Sequence, residues 1–482
     1  MESWWQEIVN LLQRGRTQLA REKLDNLRGS VPPDEEWRFH ELYGAVFHDL
    51  ADGEGAAAAY SHAAQCDKYL RSQREHFSSY LFALHYLPGL SAADLWQQHS
   101  YYQELYREEE LLPPRQISPH SRLRVGFIAH DFCDSAAARF YEALVTGLDV
   151  RYASTYLYAL QDEEDAFTHS LQGCGLIYRC LAGKNLVEMA EAIRWDEIDI
   201  LVDLSGHTEG GLTLMVLAKK PAPVQLSAIG YFDTTGLGAV DGLLTDKILD
   251  PSEIDKSFFR EELVPLPHAF CFTPTETMQK CRRQPRNESM PLTFGCFQNG
   301  MKLNREVLAL WREILELCPK ARLIVQDTTR LPERRQALEK RLEKAGLPME
   351  RAEVRLGTDN YLQDYQEIDI MLDTFPYNGG AMTATALYMG VPVVTLRGNH
   401  HSARFGASLL TAAGYEEWIA DSREDYLKCA LQLASDLSFL AAVQENLRAE
   451  VENSPLCDKA GYAGAFWQIC IDLWARKGDF AL

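Results

Sequence analysis

The 482-residue sequence has no C-x-x-C pair, although eleven cysteines are spread from Cys66 to Cys470. That lack excludes a zinc ribbon, and the odd, widely spaced set fits buried thiols in a reducing compartment better than a disulfide framework. The adjacent His400 and His401 have no thiol-rich surroundings, so no metal centre is expected. No run of 18 apolar residues occurs, which argues against a membrane span. The opening MESWWQEIVNLLQRGR lacks the apolar core and small-residue cleavage site of a secretory leader, and cytoplasmic residence is the expectation. Basic residues are in deficit: 48 Lys and Arg stand against 69 Asp and Glu, for a net charge of -21. A broad nucleic-acid surface is thereby disfavoured, while a small basic phosphate pocket remains compatible. Hydrophobic content of 46% is ordinary for a folded chain, and the length exceeds what one core supports.

What is present divides into three stretches. Up to about residue 112 the periodicity is helical. Trp4, Ile8, Leu11 and Leu12 recur on one face, and Leu19, Leu24 and Leu27 follow the break at Arg14–Gly15–Arg16. A helix pair spans Trp37 to His48 and Gly55 to Tyr69. In it Gly44, Phe47, Ala56, Tyr60 and Ala63 match a tetratricopeptide pattern, with small residues allowing close approach and aromatics filling the gap. A third stretch runs through SSYLFALHYLPGL and SAADLWQQHSYYQELYREEE, with Ser91 as N-cap. The proline-rich LPPRQISPHS at 112–121 reads as a linker.

Residues 123–132 then switch to a short apolar strand. Further strands are expected at 152–160, 176–178, 198–206, 224–230 and 240–246, with helices between several of them. Such alternation specifies a mostly parallel sheet covered on both faces. Ligands in such sheets collect beyond the C-terminal strand ends. That rule singles out His130–Asp131, the Ser205–Gly206–His207–Thr208 loop and Gly230–Tyr231. Asp203 is expected to hold a loop through backbone N–H groups. Tyr231, Thr234 and Thr235 either line a cleft or simply pack the loop.

After a polar boundary at 282–290, strands at LTFGCF, ARLIVQD, AEVRLGT, IDIMLDTF and VPVVTLRG alternate with helices and repeat the plan. The PYNGG loop and the helix after it can bring N–H groups to a pyrophosphate. Lys302 could offset charge on a departing diphosphate, with Asn299 orienting the same oxygens. Arg404 either meets a phosphate or ties the domain together. The final amphipathic block should pack one helix with Trp467 and Trp474 buried.

The blocks LRVGFIAHDF, ILVDLSGHTEGG, KKPAPVQLSAIGYFDTTGL, TFGCFQNGMKLNREVLALW, MLDTFPYNGG, MGVPVVTLRG and SARFGASLLTAAG, in this order, resemble the catalytic core of the protein O-linked N-acetylglucosamine transferases and their bacterial SPINDLY-type relatives, glycosyltransferase family 41. The resemblance implies an α/β GT-B fold of two Rossmann-like domains behind an all-helical, tetratricopeptide-like module. The expected boundaries are 1–118, 119–275 and 276–482. It also implies inverting transfer from a nucleotide sugar, UDP-N-acetylglucosamine in many members, to Ser/Thr hydroxyls of a protein such as a flagellin or another dedicated substrate. No cofactor is required on that pattern. Lys302 and His207 are the catalytic candidates. Asn299, Gly379, Gly380, Ala381, Met382, Thr383, Thr385 and Leu362 fall on the donor side. His130, Asp131, Thr208, Gly230, Tyr231, Thr234 and Thr235 fall on the acceptor side or in the cleft.

Departures from the pattern are specific. Ser135 stands at a usual histidine, Ala381 and Met382 stand at two usual threonines, Thr385 at an acidic position, and Leu362 at a histidine above the base. Fewer directed donors point either to another nucleotide or sugar, or to a catalytically degenerate member acting as a protein-binding scaffold.

Overall fold

The computed structural model describes residues 3–113, 121–286 and 289–477. Part of the 112–121 linker and part of the 282–290 boundary lie outside the described residues. Two compact units result: Met1–Leu90 with Pro274–Glu452, and Ser91–Thr273 with Asn453–Leu482. The division therefore differs from the three sequence segments at both ends. The first five helices belong with the second α/β half, and the last helix belongs with the first half.

The unit containing the N-terminus starts with α1 (Trp4–Gln13), α2 (Thr17–Leu27), α3 (Glu36–Asp49), α4 (Gly53–Cys66) and α5 (Leu70–Leu84). Close approach of α3 and α4 is built into their small residues, since a Cβ on Gly44 would overlap the Tyr60 ring and one on Gly55 would overlap Phe47. Ile8, Leu24, Phe39, Leu42 and Val46 close the core beneath them. The same unit carries a six-stranded parallel sheet. Its strands are β8 (Thr293–Phe297), β9 (Arg322–Gln326), β10 (Ala352–Arg355), β11 (Ile370–Leu372), β12 (Val393–Leu396) and β13 (Ile419–Ala420), in the order β10-β9-β8-β11-β12-β13.

The other unit opens with α6 (Ala92–Tyr102), where Ser91 and Asp94 form a reciprocal capping box as the Ser91 N-cap requires. Its parallel sheet contains β1 (Leu123–Ala129), β2 (Ala153–Ala159), β3 (Ile177–Cys180), β4 (Ile200–Asp203), β5 (Val224–Ser227), β6 (Gly242–Thr245) and β7 (Glu262–Pro265). The order is β3-β2-β1-β4-β5-β6-β7. Both sheets thus have the Rossmann arrangement, with a topological switch at β1/β4 in one and β8/β11 in the other. The edge strands β7 and β13 have no counterpart in the sequence reading. β7 is half exposed and β13 has two residues, so neither carries the continuous apolar run by which the inner strands are read.

The closing helix Lys459–Ala475 buries Tyr462, Phe466, Cys470 and Trp474 at successive turns. Trp467 lies one residue off that stripe and is only partly buried, a correction to the expectation for the two tryptophans. No disulfide joins the cysteines; Cys271, Cys296 and Cys470 are buried, whereas Cys174 and Cys180 are exposed, so burial holds for only part of the set. Among the described residues no single helix is long and apolar enough to cross a membrane. The pair Arg423–Ser435 and Leu437–Glu452 reaches that composition only jointly, across a 95° bend.

In the N-terminal unit one buried ion pair joins three segments. Arg334 Nε donates to Asp327 Oδ2 at 2.7 Å, with both side chains fully buried. Arg334 also donates to the His48 carbonyl at the α3–α4 turn (2.8 Å) and to the Asn299 side chain. Asp327 accepts in addition from Gly300 N–H at 3.0 Å. Arg334→Met strands the carboxylate in a dry site. We expect it to cost about 3–5 kcal/mol, read as a lower urea midpoint together with lost amide-exchange protection in β8 and β9. An unchanged midpoint would show the pair to be dispensable.

Candidate nucleotide-sugar site

The chemistry-bearing residues collect at the two switch points, and each set is built within its own unit. Beyond β8 the chain turns through Gln298–Asn299 into the short turn Gly300–Lys302. The Asn299 side chain caps that turn by accepting Met301 N–H at 3.0 Å and takes the Arg334 bond as well, so its oxygen is committed to holding the loop. Lys302 is buried. Its Nζ donates to the Asn378 carbonyl at 2.8 Å and lies 3.7 Å from the centre of the Tyr377 ring. Burial pushes its pKa down to about 8, against the opposing pull of Asp373 and Cys296.

Beyond β11, Asp373 accepts Gly379 N–H (2.7 Å), Thr374 N–H (2.9 Å) and the Thr395 hydroxyl (2.7 Å). Burial raises its pKa to about 6, although these hydrogen bonds and Lys302 favour the charged form. Between about pH 6 and pH 8 the loop therefore holds a buried ammonium together with a buried carboxylate. Asp373 fixes the Gly379–Gly380 turn, which leads into the helix Ala381–Tyr388. The first N–H groups of such a helix lack intrahelical partners and suit an anion.

Near this helix start the side chains Gln298 Nε2, Thr383 Oγ1 and Thr385 Oγ1 are buried without a hydrogen-bond partner. A Cβ on Gly379 would overlap both Gln298 Nε2 and Thr383 Oγ1, so the glycine opens the space on which they converge. A buried polar atom of this kind calls for a partner, ordered water or the polar atoms of a ligand, and two of the three converge at this turn. Ala381 is buried at the helix start. Met382 reaches a cavity of about 170 Å³ that is also lined by Phe297, Gln326, Arg330, Thr358 and Tyr361. Leu362, which the family resemblance puts at the donor side, is buried outside that lining, whereas its neighbour Tyr361 lies in the wall. Arg404 donates to the Gly398 carbonyl at 2.9 Å and so serves the tie between loop and helix.

In the other unit, Asp203 accepts Ser205 N–H (3.0 Å) and Gly206 N–H (2.9 Å) and holds the loop as its position suggests. His207 follows in that loop, and there the structure departs from a catalytic expectation. Its Nε2–H donates to the Thr235 carbonyl at 2.9 Å, and the rings of Tyr102 and Tyr231 pack edge-on at 4.6 and 4.8 Å. Burial holds its pKa well below the usual value, so the ring is neutral and enclosed. It positions the loop. Behind it His99 donates from Nδ1 to the Leu95 carbonyl and receives the Tyr231 hydroxyl at 2.6 Å. That neutral tautomer agrees with a pKa lowered to about 4 by burial.

Thr208 donates to the Ser205 carbonyl at 2.7 Å. The Thr234 and Thr235 hydroxyls both go to the buried Glu261 carboxylate, which makes them loop-packing groups, not lining. Gly230 is required because a Cβ there would run into the Leu204 carbonyl, and Gly236, at φ +68°, comes up against the His99 carbonyl of α6. His130 and Asp131 stay partly exposed at the end of β1, 3.3 Å apart, with the His130 N–H on the Ser205 hydroxyl. Ser135 Oγ accepts Ala138 N–H at 3.2 Å, a local helix cap. Gln298, Asp373, Tyr377 and Asn378 lie within the matching blocks, the last two in the PYNGG loop, but were given no individual role from the sequence. The usable signal was position: Gln298 and Asp373 are the first residues past the C-terminal ends of β8 and β11.

Two Rossmann-ordered parallel sheets, with a glycine turn and a buried lysine at the switch point of the second, define a GT-B protein. The chain matches the model of glycosyl transferase family 41 over residues 103–284 and 273–466, and it belongs to that family. It is 34% identical over 375 residues to a probable UDP-N-acetylglucosamine–peptide N-acetylglucosaminyltransferase SPINDLY of Solanum lycopersicum, covering 75% of this chain and 40% of that protein. The identity is again 34%, over 372 residues and with the same coverage, to the SPINDLY protein of Arabidopsis thaliana. The chain thus spans about 40% of the length of these curated relatives. A mutant O-GlcNAc transferase of Thermobaculum terrenum superposes with a TM-score of 0.87 at 29% identity, over 96% of this chain and 89% of that one.

The depressed Lys302 value fixes a sign. Between about pH 8 and the ordinary value of 10.5 the unfolded chain binds a proton that the folded chain does not, so stability linked to this group rises with pH across that window. Lys302→Met removes this dependence. We expect the variant to be more stable than the native chain near pH 7, with the gap in denaturation midpoint narrowing as pH climbs through the window. A gap that stays constant or widens would contradict the burial argument.

Proposed function

We propose that the chain transfers a sugar from a nucleotide-sugar donor to Ser/Thr hydroxyls of a protein, with inversion at the anomeric carbon. The observation that carries the reading is the buried Lys302 in a unit that also places Gln298, Thr383 and Thr385, with unpartnered polar atoms, at a glycine-turn helix start. The acceptor oxygen attacks the anomeric carbon, the bond to the diphosphate oxygen breaks, and the electron pair leaves with the nucleoside diphosphate. Lys302 and the helix N–H groups stabilise that charge. On the acceptor side, the partly exposed His130 with Asp131 is assigned the hydroxyl proton. His207 and Asn299 are assigned to positioning.

UDP-N-acetylglucosamine is the first donor to test, because the SPINDLY relatives are named for it. Those names specify a peptide acceptor; flagellin finds no support in them. Thr383 and Thr385 keep two hydroxyls on the helix although Ala381 and Met382 lack them, which favours an altered donor contact over a dead site. The experiment incubates the intact protein with a panel of nucleotide sugars and candidate acceptor proteins, reading nucleoside diphosphate release and acceptor mass. Transfer should fall by about 100-fold or more in Lys302→Met. Native kcat/KM should decline above about pH 8 as the ammonium is lost. Absence of release and of a mass increment with every donor would overturn the reading in favour of a protein-binding scaffold.

A further inference from the structure

The helical hairpin α3–α4 carries a side-chain constellation that the transfer reading does not use. Glu36 and His40 stand one turn apart on α3, while His62 and Cys66 stand one turn apart on α4. The two helices run antiparallel, and their register is fixed by Gly44 against Tyr60 and Phe47 against Gly55. Continuing it away from the turn brings His40 opposite His62 and Glu36 opposite Cys66. The His40 and His62 rings accordingly stack at 5.1 Å with 23° between their planes. A carboxylate oxygen of Glu36, a ring nitrogen of His40 and Cys66 Sγ already lie within 4.8 Å of one another.

We propose that Glu36, His40, His62 and Cys66 form a four-coordinate zinc site that clips α3 to α4 at the end of the hairpin remote from its turn. One thiolate, two imidazoles and one carboxylate make a donor set that zinc favours. Neutral histidines with one thiolate and one carboxylate balance the charge of a divalent ion, so a half-buried site carries no net charge. The tautomer of His62 suits coordination, since its Nδ1–H donates to the Ala58 carbonyl at 2.7 Å and leaves Nε2 as the lone-pair nitrogen. That outer hydrogen bond is the usual device for fixing the tautomer of a metal-bound histidine. Tetrahedral ligand atoms at zinc bond lengths are separated by about 3.3–3.7 Å. Among Glu36, His40 and Cys66 closure therefore asks for about 1 Å of side-chain adjustment, and the exposed His62 ring must turn to join them. A surface acid in a first helical turn and a helix-end cysteine are each ordinary alone. Two facing pairs one turn apart, all with metal-ligating atoms, are what a clip requires. The inference does not depend on the transfer reading.

The test uses the full-length metal-stripped protein and Co2+ as the probe. One tight equivalent is expected to give tetrahedral d–d absorption and a thiolate-to-cobalt charge-transfer band, and Zn2+ should displace it. Cys66→Ser should abolish the charge-transfer band, and Glu36→Gln and His62→Ala should each weaken Co2+ binding by about 100-fold or more. Exposed Glu36 and His62 keep the test usable should Cys66→Ser not fold. Zn2+ should raise the thermal midpoint of the native chain and leave that of His62→Ala unmoved. A charge-transfer band that survives Cys66→Ser, native-like affinity in Glu36→Gln, or no tight Co2+ binding at all would overturn the site.

Discussion

The buried Arg334–Asp327 pair is the interaction on which the N-terminal unit depends. Asp327 directly follows β9 and also holds Gly300, whereas Arg334 reaches the α3–α4 turn and the Asn299 side chain. Arg341 supports the arrangement through the Gly300 and Leu303 carbonyls on one side and the Ala51 carbonyl on the other. A guanidinium offers five donors in a rigid fork, so one residue can satisfy several carbonyls that converge from separate segments. The helices at the front of the chain are consequently joined by hydrogen bonds to the loop that bears Lys302.

The same dry environment gives Lys302 its chemistry. Desolvation disfavours its charge, and Asp373 partly restores it, so the ammonium is kept at neutral pH without being fully satisfied. A cation held this way responds to incoming negative charge more strongly than one in water. Asp373 has a second duty, because it orients the Gly379 turn from which the helix N–H groups start. One carboxylate therefore sets both the lysine and the turn.

Much of the fold was legible in the sequence. The nine inner parallel strands are buried on both faces and read as continuous apolar runs; of the four edge strands β3 and β10 were also read, whereas β7 and β13 were not. The Ser91 cap and the Gly44–Tyr60 contact also follow from residue type and spacing alone. The site was less legible. His207, Thr234 and Thr235 sit where a ligand loop should be, yet their polar atoms are taken by Thr235, Glu261 and α6 packing, partners distant in sequence. Gln298 and Asp373, which lie inside the matching blocks without being singled out there, are the groups that the strand ends deliver.

The sequence by itself determined the alternation of strands and helices, the small-residue contacts of the helical hairpin and the family to which the blocks belong, because these rest on local periodicity and on ordered short motifs. The tertiary structure alone decided which polar groups are used up and which are left to act. Burial, the charge state of Lys302, the enclosure of His207 and the convergence of Gln298 with Thr383 arise from segments that meet only after folding, and desolvation is a property of that meeting.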